Sequence, residues 1–149
     1  MTTTLHDLIA REDATAHATG VGSDMHLKMQ RVSLSRPRPD TAPLIEKIKT
    51  IPGLVAFFGP DSRPEVPVAG TVNGRFISRR LDRLVVDTAG KTVRILDYKT
   101  DIDRTARRGK YIAQLREYAT LMRRIYPGFA VECYILWLHD WTLEKITVA

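Results

Sequence analysis

The sequence predicts an α/β protein in which helices sandwich a mixed sheet. Three observations predict it. Tyr111, Ile112, Leu115, Tyr118, Ala119, Met122, Ile125 and Tyr126 recur at helical spacing and form one apolar stripe. Two strand-like segments, Gly74 to Val86 and Thr92 to Lys99, are joined by the turn Thr88-Ala89-Gly90-Lys91. The apolar run from Val131 to Leu138 after the helix reads as a buried strand.

Residues 1–18 form an N-terminal extension with a short helical pattern at Leu5, Leu8 and Ile9. One domain then spans residues 19–149. Its first helix is predicted from Thr19 to Val32, with Val21, Met25, Met29 and Val32 on one face. Ser35-Arg36-Pro37-Arg38-Pro39-Asp40 breaks it. A second helix starts near Thr41, carries Leu44, Ile45 and Ile48, and stops at Pro52-Gly53. Leu54 to Phe58 is short and apolar and reads as strand. Glu65 to Gly70 reads as an edge strand, because Pro67 has no N–H for a central ladder. A long helix from Gly109 to Tyr126 ends at Pro127-Gly128, and Thr142 to Val148 reads as a last edge strand.

A chain of 149 residues with 44% hydrophobic content fits one domain with a real core. No apolar run approaches the ~18 residues that a transmembrane helix needs. The start, Met1-Thr2-Thr3-Thr4, lacks a basic segment followed by an apolar one, so no secretory leader is expected. The single cysteine, Cys133, excludes an internal disulfide framework and a Cys-ligated zinc or iron–sulfur cluster within this chain. A cytoplasmic protein is expected. The net charge of +6 and pI near 9.7 favour a polyanionic partner, most simply nucleic acid. Basic residues cluster at Arg104, Arg107, Arg108 and Lys110, and Arg79, Arg80 and Arg83 flank Asp82.

The chemistry concentrates at Leu96-Asp97-Tyr98-Lys99-Thr100-Asp101. Residues two apart on a strand share a face, so Asp97 and Lys99 project together. A turn centred on Ala89-Gly90 sets the hairpin register. Val86 then faces Val93, Leu84 faces Ile95, Asp82 faces Asp97, and Arg80 faces Lys99. Opposed Cβ atoms lie about 4.5–5.5 Å apart. Two carboxylates that close repel unless a cation sits between them, and oxygen ligands suit Mg²⁺ or Mn²⁺. The same residues also fit a structural Asp–Lys or Asp–Arg ion pair at a sheet edge, and spacing alone does not choose. His26 adjoins the first helix's apolar stripe, and Gln114 and Tyr118 lie one turn apart on the long helix.

In chain order, Gly22-x-x-x-His26, Glu65-x-Pro67, Asp82-Arg83-Leu84, Asp97-Tyr98-Lys99-Thr100-Asp101 and Gln114-Leu115-x-x-Tyr118-Ala119 resemble the PD-(D/E)XK nuclease superfamily. The likeness is to the branch of RecB and AddA C-terminal nuclease domains, with Cas4-like exonucleases nearby, and runs from about Gly20 to Leu138. It implies a restriction-endonuclease-like core and a Mg²⁺- or Mn²⁺-dependent deoxyribonuclease. His26, Asp82, Asp97 and the backbone carbonyl of Tyr98 would ligate the metal. Asp82, Asp97, Lys99 and Gln114 would form the catalytic set. Lys99 would orient water and stabilise the phosphate, and Gln114 would brace the site. Tyr118 would pack or touch the DNA backbone, with Glu65 in support. Independently of the resemblance, the basic segment Arg104, Arg107, Arg108 and Lys110, which follows Lys99 and runs into the Gln114 helix, is expected to line the DNA approach.

No Gly-x-x-x-x-Gly-Lys-Ser/Thr motif accompanies these segments, so the chain is expected to be an excised domain, a standalone relative, or a subunit of a larger machine in which a helicase or other repair subunit acts in trans. A catalytically silent DNA-binding module of a helicase–nuclease complex is the alternative. No base-reading module is recognisable, so cutting without strong sequence preference is expected, in recombinational repair or end processing. Trp137, His139 and Trp141 fit core packing better than base stacking.

Overall fold

The computed structural model describes residues 20–148. The N-terminal extension, residues 1–18, lies outside the described residues. The elements follow the order α1 (Gly20–Gln30), α2 (Ala42–Lys49), β1 (Ser62–Val72), β2 (Arg75–Asp87), β3 (Thr92–Lys99), α3 (Arg108–Ile125), β4 (Ala130–Trp137) and β5 (Thr142–Ile146). The five strands form one sheet in sequence order. Pairing is antiparallel except between β3 and β4, which are parallel. Parallel neighbours need a long crossover, and α3 is that crossover. The protein is therefore α/β with a mixed sheet flanked by helices, as its periodicities predict.

Each face of the sheet has its own core. On one face α3 lays Leu115, Tyr118, Ala119 and Met122 against Leu81, Leu84, Ile95 and Ile135. β1 passes so close to α3 that a Cβ on Gly70 would stand 2.6 Å from Leu121. On the other face α1 and α2 bring Met29, Ile45 and Ile48 onto Val85, Leu96 and Leu136. Pro67 does sit on an edge strand, and β5 forms the opposite edge.

One element differs in kind. Leu54 to Phe58 is not a strand, because Val55–Phe58 is a 3₁₀ turn. Its buried positions, Leu54, Phe57 and Phe58, all face one core. That three-residue spacing suits a 3₁₀ turn and not a period of two. Trp137 is fully buried and Trp141 packs against the α1–α2 core, so both indoles are structural.

Candidate active site

The site forms where the sheet loses its regularity. The turn-end register holds, with Val86 opposite Val93 and Leu84 opposite Ile95, but β2–β3 pairing stops at Arg83 opposite Leu96. Strict alternation breaks at the same point. Leu81 and Leu84, three apart, both sit in the α3-side core, while Arg83 and Val85 face α1. On the neighbouring β1, Glu65 adopts φ +53°. A non-glycine residue in that left-handed region costs ~1–2 kcal/mol, which the surrounding fold must offset. Two expectations are corrected by this break. Asp82 is not a ladder partner of Asp97, and Arg80 opposes Pro67 on β1, not Lys99.

The break still brings the acidic residues together. Asp82 Oδ2 accepts the Tyr98 backbone N–H at 2.7 Å, filling the gap between the parting strands. From the other side, His26 Nε2 lies 3.6 Å from the same oxygen. His26 is buried and stands edge-on to the Tyr98 ring, 5.7 Å between centroids. Asp97 is buried, and its Oδ2 lies 2.8 Å from Lys99 Nζ. Lys99 also donates to Gln114 Oε1 at 3.4 Å. Gln114 thus lies against the lysine ammonium.

Burial and mutual repulsion displace the charges of these acidic groups from their ordinary balance. Burial pushes Asp97 up to about 6; the nearby Asp82 charge adds to this and Lys99 opposes it. Burial, reinforced by Asp82, pushes Glu65 up to about 7, against the pull of Arg80, Gln30 and His26. Burial also opposes ionisation of Asp82. There the His26 contact, Lys99 and the Tyr98 N–H win and hold the carboxyl below its ordinary value. Burial would lower the Lys99 pKa, but Asp97 and Asp82 raise it, so the ammonium stays charged.

A pH dependence of stability follows from these directions. Asp97 and Glu65 have raised folded pKa values, so the stability they contribute is present below their unfolded values. It is lost as pH rises towards about 6 for Asp97 and about 7 for Glu65. Without divalent cations the melting temperature should fall between about pH 4 and pH 7, and Asp97→Asn should flatten the fall. Thermal melts in chelator across that range test this. Equal slopes in both proteins would mean that Asp97 ionises freely in the fold.

Two residues to which the sequence assigns no role complete the surroundings of Lys99. Its ammonium lies 4.2 Å from the Tyr111 ring centroid, a cation–π contact. The Tyr111 hydroxyl donates to the Asp101 carboxylate, 2.9 Å from each oxygen. Spacing held the signal: Asp101 follows Lys99 by two residues, and Tyr111 precedes Gln114 by one helical step.

Other assignments change. Tyr118 is 3% exposed within the α3-side core and presents no surface to DNA. Arg104 is bound to Asp140 and Thr142, and Arg108 to Glu144 at 2.5 Å. Both side chains turn onto the β5 region, so their charge is already matched. Arg107 and Lys110 remain exposed. The arginines around Asp82 are engaged by partners within the fold too. Arg79 lies 3.9 Å from Glu117, Arg80 lies 3.8 Å from Glu65, and Arg83 is buried.

Among the described residues, no three His, Cys, Asp or Glu side chains already stand at metal-binding distances. The donor chemistry still fits a hard divalent cation: two adjoining carboxylates with an imidazole beside them. No helix among the described residues is long and apolar enough to cross a membrane.

No family model matches the sequence, and no curated protein matches it. Eleven chains of solved structures do match. One of them, described as "Crystal structure of SSO0001", has a TM-score of 0.50 and 16% identity; the match covers 93% of this chain and 56% of that one. The chain therefore spans little more than half the length of that protein. At this identity the likeness concerns the fold.

Proposed function

We propose that this protein is a Mg²⁺- or Mn²⁺-dependent deoxyribonuclease with a restriction-endonuclease-like core. The observation that carries this reading is the convergence of Asp82, Asp97 and Lys99 where β2 and β3 part. A structural ion pair would account for Asp97 and Lys99. It would not account for a second, half-buried carboxylate that adds to burial in raising the Asp97 pKa. Asp82, Asp97, His26 and the Tyr98 carbonyl would hold the cation. The bound metal would neutralise the phosphate and help to ionise water. Lys99, fixed by Asp97, Gln114 and the Tyr111 ring, supplies a positive charge to oxygens that become more negative during phosphoryl transfer. Asp82 bears on Glu65 through space and adds to the burial that raises its pKa. The charge imbalance is what a cation relieves. Calorimetric titration of Mn²⁺ should show binding to the wild type and a loss for Asp97→Ala. Equal affinity in both would remove the metal site from this reading.

DNA would reach the site past the start of α3, where Arg107 and Lys110 are exposed. Removing one cation that neutralises a phosphate lowers the salt slope by about 0.7–0.9 units. Arg107→Gln with Lys110→Gln should flatten the salt dependence of DNA binding in Ca²⁺. Arg104→Gln with Arg108→Gln should leave it nearly unchanged, because those charges are matched within the fold. The reverse pattern would place the DNA path along β5. Cutting without strong sequence preference, in repair or end processing, with a helicase or repair subunit in trans, completes the proposal. A cytoplasmic setting suits Cys133, which is buried and free, with burial pushing its thiol up to about 12.

A further inference from the structure

Arg83 is a buried cation without an anion. It is 2% exposed. Its guanidinium donates to the carbonyls of Met29 and Val32 at 3.0 Å each, to Ser62 Oγ at 3.0 Å and to the Tyr98 hydroxyl at 3.2 Å. With the Gln30 carbonyl at 3.4 Å these make five partners, none of which carries a formal charge. Among the described residues no carboxylate lies within 4.0 Å of it. Burying a charge without a counter-charge is costly even when its hydrogen bonds are made.

The same residue lines a half-open cavity of about 460 Å³ beside the C-terminal end of α1. Arg31, Arg36, Ser33, Ser35 and Ser62 line it as well, and no acidic residue does. Ser33 and Ser35 hydroxyls stand 3.0 Å apart at its exposed side. Arg31 shares Asp40 with Arg38, whereas Arg36 has no carboxylate within 4.0 Å among the described residues. Guanidinium forks and hydroxyls without competing carboxylates suit a phosphate, which offers several acceptor oxygens and negative charge. The cavity adjoins the candidate active site. Arg83 follows Asp82 directly, and Pro64 on the cavity wall precedes Glu65.

We propose that this cavity binds a phosphate group of the DNA strand presented to Asp82 and Asp97. The choice of DNA rests on the nuclease reading; the affinity for phosphate does not. A strand terminus and an internal linkage both supply this chemistry, and the test separates them.

Arg83 supports the fold, so the variant is Ser33→Ala/Arg36→Gln, which changes the open side of the cavity. In chelator, at constant ionic strength, inorganic phosphate should raise the wild-type melting temperature more than chloride does. The variant should lose that difference. Binding of oligonucleotides with a 5′-phosphate, a 3′-phosphate or neither is then compared by anisotropy in chelator, with Arg116→Gln on the outer face of α3 as a control. A loss confined to one phosphorylated end identifies a terminal phosphate. An equal loss on all three, with a salt slope lower by about 0.7–0.9 units and a larger effect than Arg116→Gln, identifies an internal one. A phosphate response with no DNA effect beyond the control would overturn the assignment to the strand. No phosphate response would overturn the cavity as an anion site. Cleavage in Mg²⁺ is scored alongside. An inactive wild type that still responds to phosphate would count against the nuclease alone; an active one without the response would count against the cavity alone.

Discussion

Lys99→Ala is expected to lose cleavage by on the order of 10²-fold or more, with Mn²⁺ affinity unchanged or raised. The ammonium is no metal ligand; it lies 2.8 Å from Asp97 Oδ2 and competes with a cation for that oxygen. Removing it frees the carboxylate for metal and deprives the phosphate of charge. Binding and turnover should therefore move in opposite directions. A merely structural lysine would lower both together, through a general loss of order. Single-turnover rates at saturating metal, with Mn²⁺ calorimetry on the same protein, distinguish the two. A fully active Lys99→Ala protein would show that the ammonium has no part in the chemistry.

Arg83→Ala is expected to destabilise the fold by about 3 kcal/mol or more. The change strands the Met29 and Val32 carbonyls and the Tyr98 hydroxyl in the interior, each costing ~1–3 kcal/mol when left unpaired. It also removes the guanidinium from the Phe58 ring, 4.5 Å away. Because Arg83 ties the end of α1 to the sheet, its loss should release His26 from Asp82 and weaken Mn²⁺ binding in whatever protein still folds. Urea unfolding of the variant measures the first effect. A loss below ~1 kcal/mol, the net worth of one ordinary hydrogen bond, would show that α1 is held mainly by Met29 and its apolar neighbours.

Lys99 and Arg83 also mark how far the sequence can be read. Most elements are legible because they bury a face at a regular period: 3.6 along Leu115, Tyr118 and Met122, and two along Val93, Ile95 and Asp97. The hairpin register is legible from its turn, where Gly90 N–H bonds to Asp87 at 2.9 Å. Periodicity fails at Glu65 and Asp82, since a left-handed backbone at a glutamate leaves no trace in a hydrophobic pattern. The turn therefore puts Asp82 in the right neighbourhood for the wrong reason: it meets Asp97 through a gap in the sheet and not through a ladder pair. In sequence Arg83 resembles one more surface arginine beside Asp82, and only the folded α1 reveals that it reaches helix-end carbonyls. Arg104 and Arg108 mislead for a related reason. Their partners, Asp140 and Glu144, are distant in sequence and arrive with β5. The motif sends Tyr118 to DNA, while its place on the α3 stripe already points inward.

Metal-dependent cleavage is the central claim. The most direct measurement is incubation of the full chain with end-labelled single- and double-stranded DNA in Mg²⁺, Mn²⁺ or chelator, with Asp97→Ala in parallel. The DNA should shorten in Mg²⁺ or Mn²⁺, and should stay whole in chelator and with Asp97→Ala. Intact DNA under every condition, from a wild type that melts cooperatively, would contradict the claim.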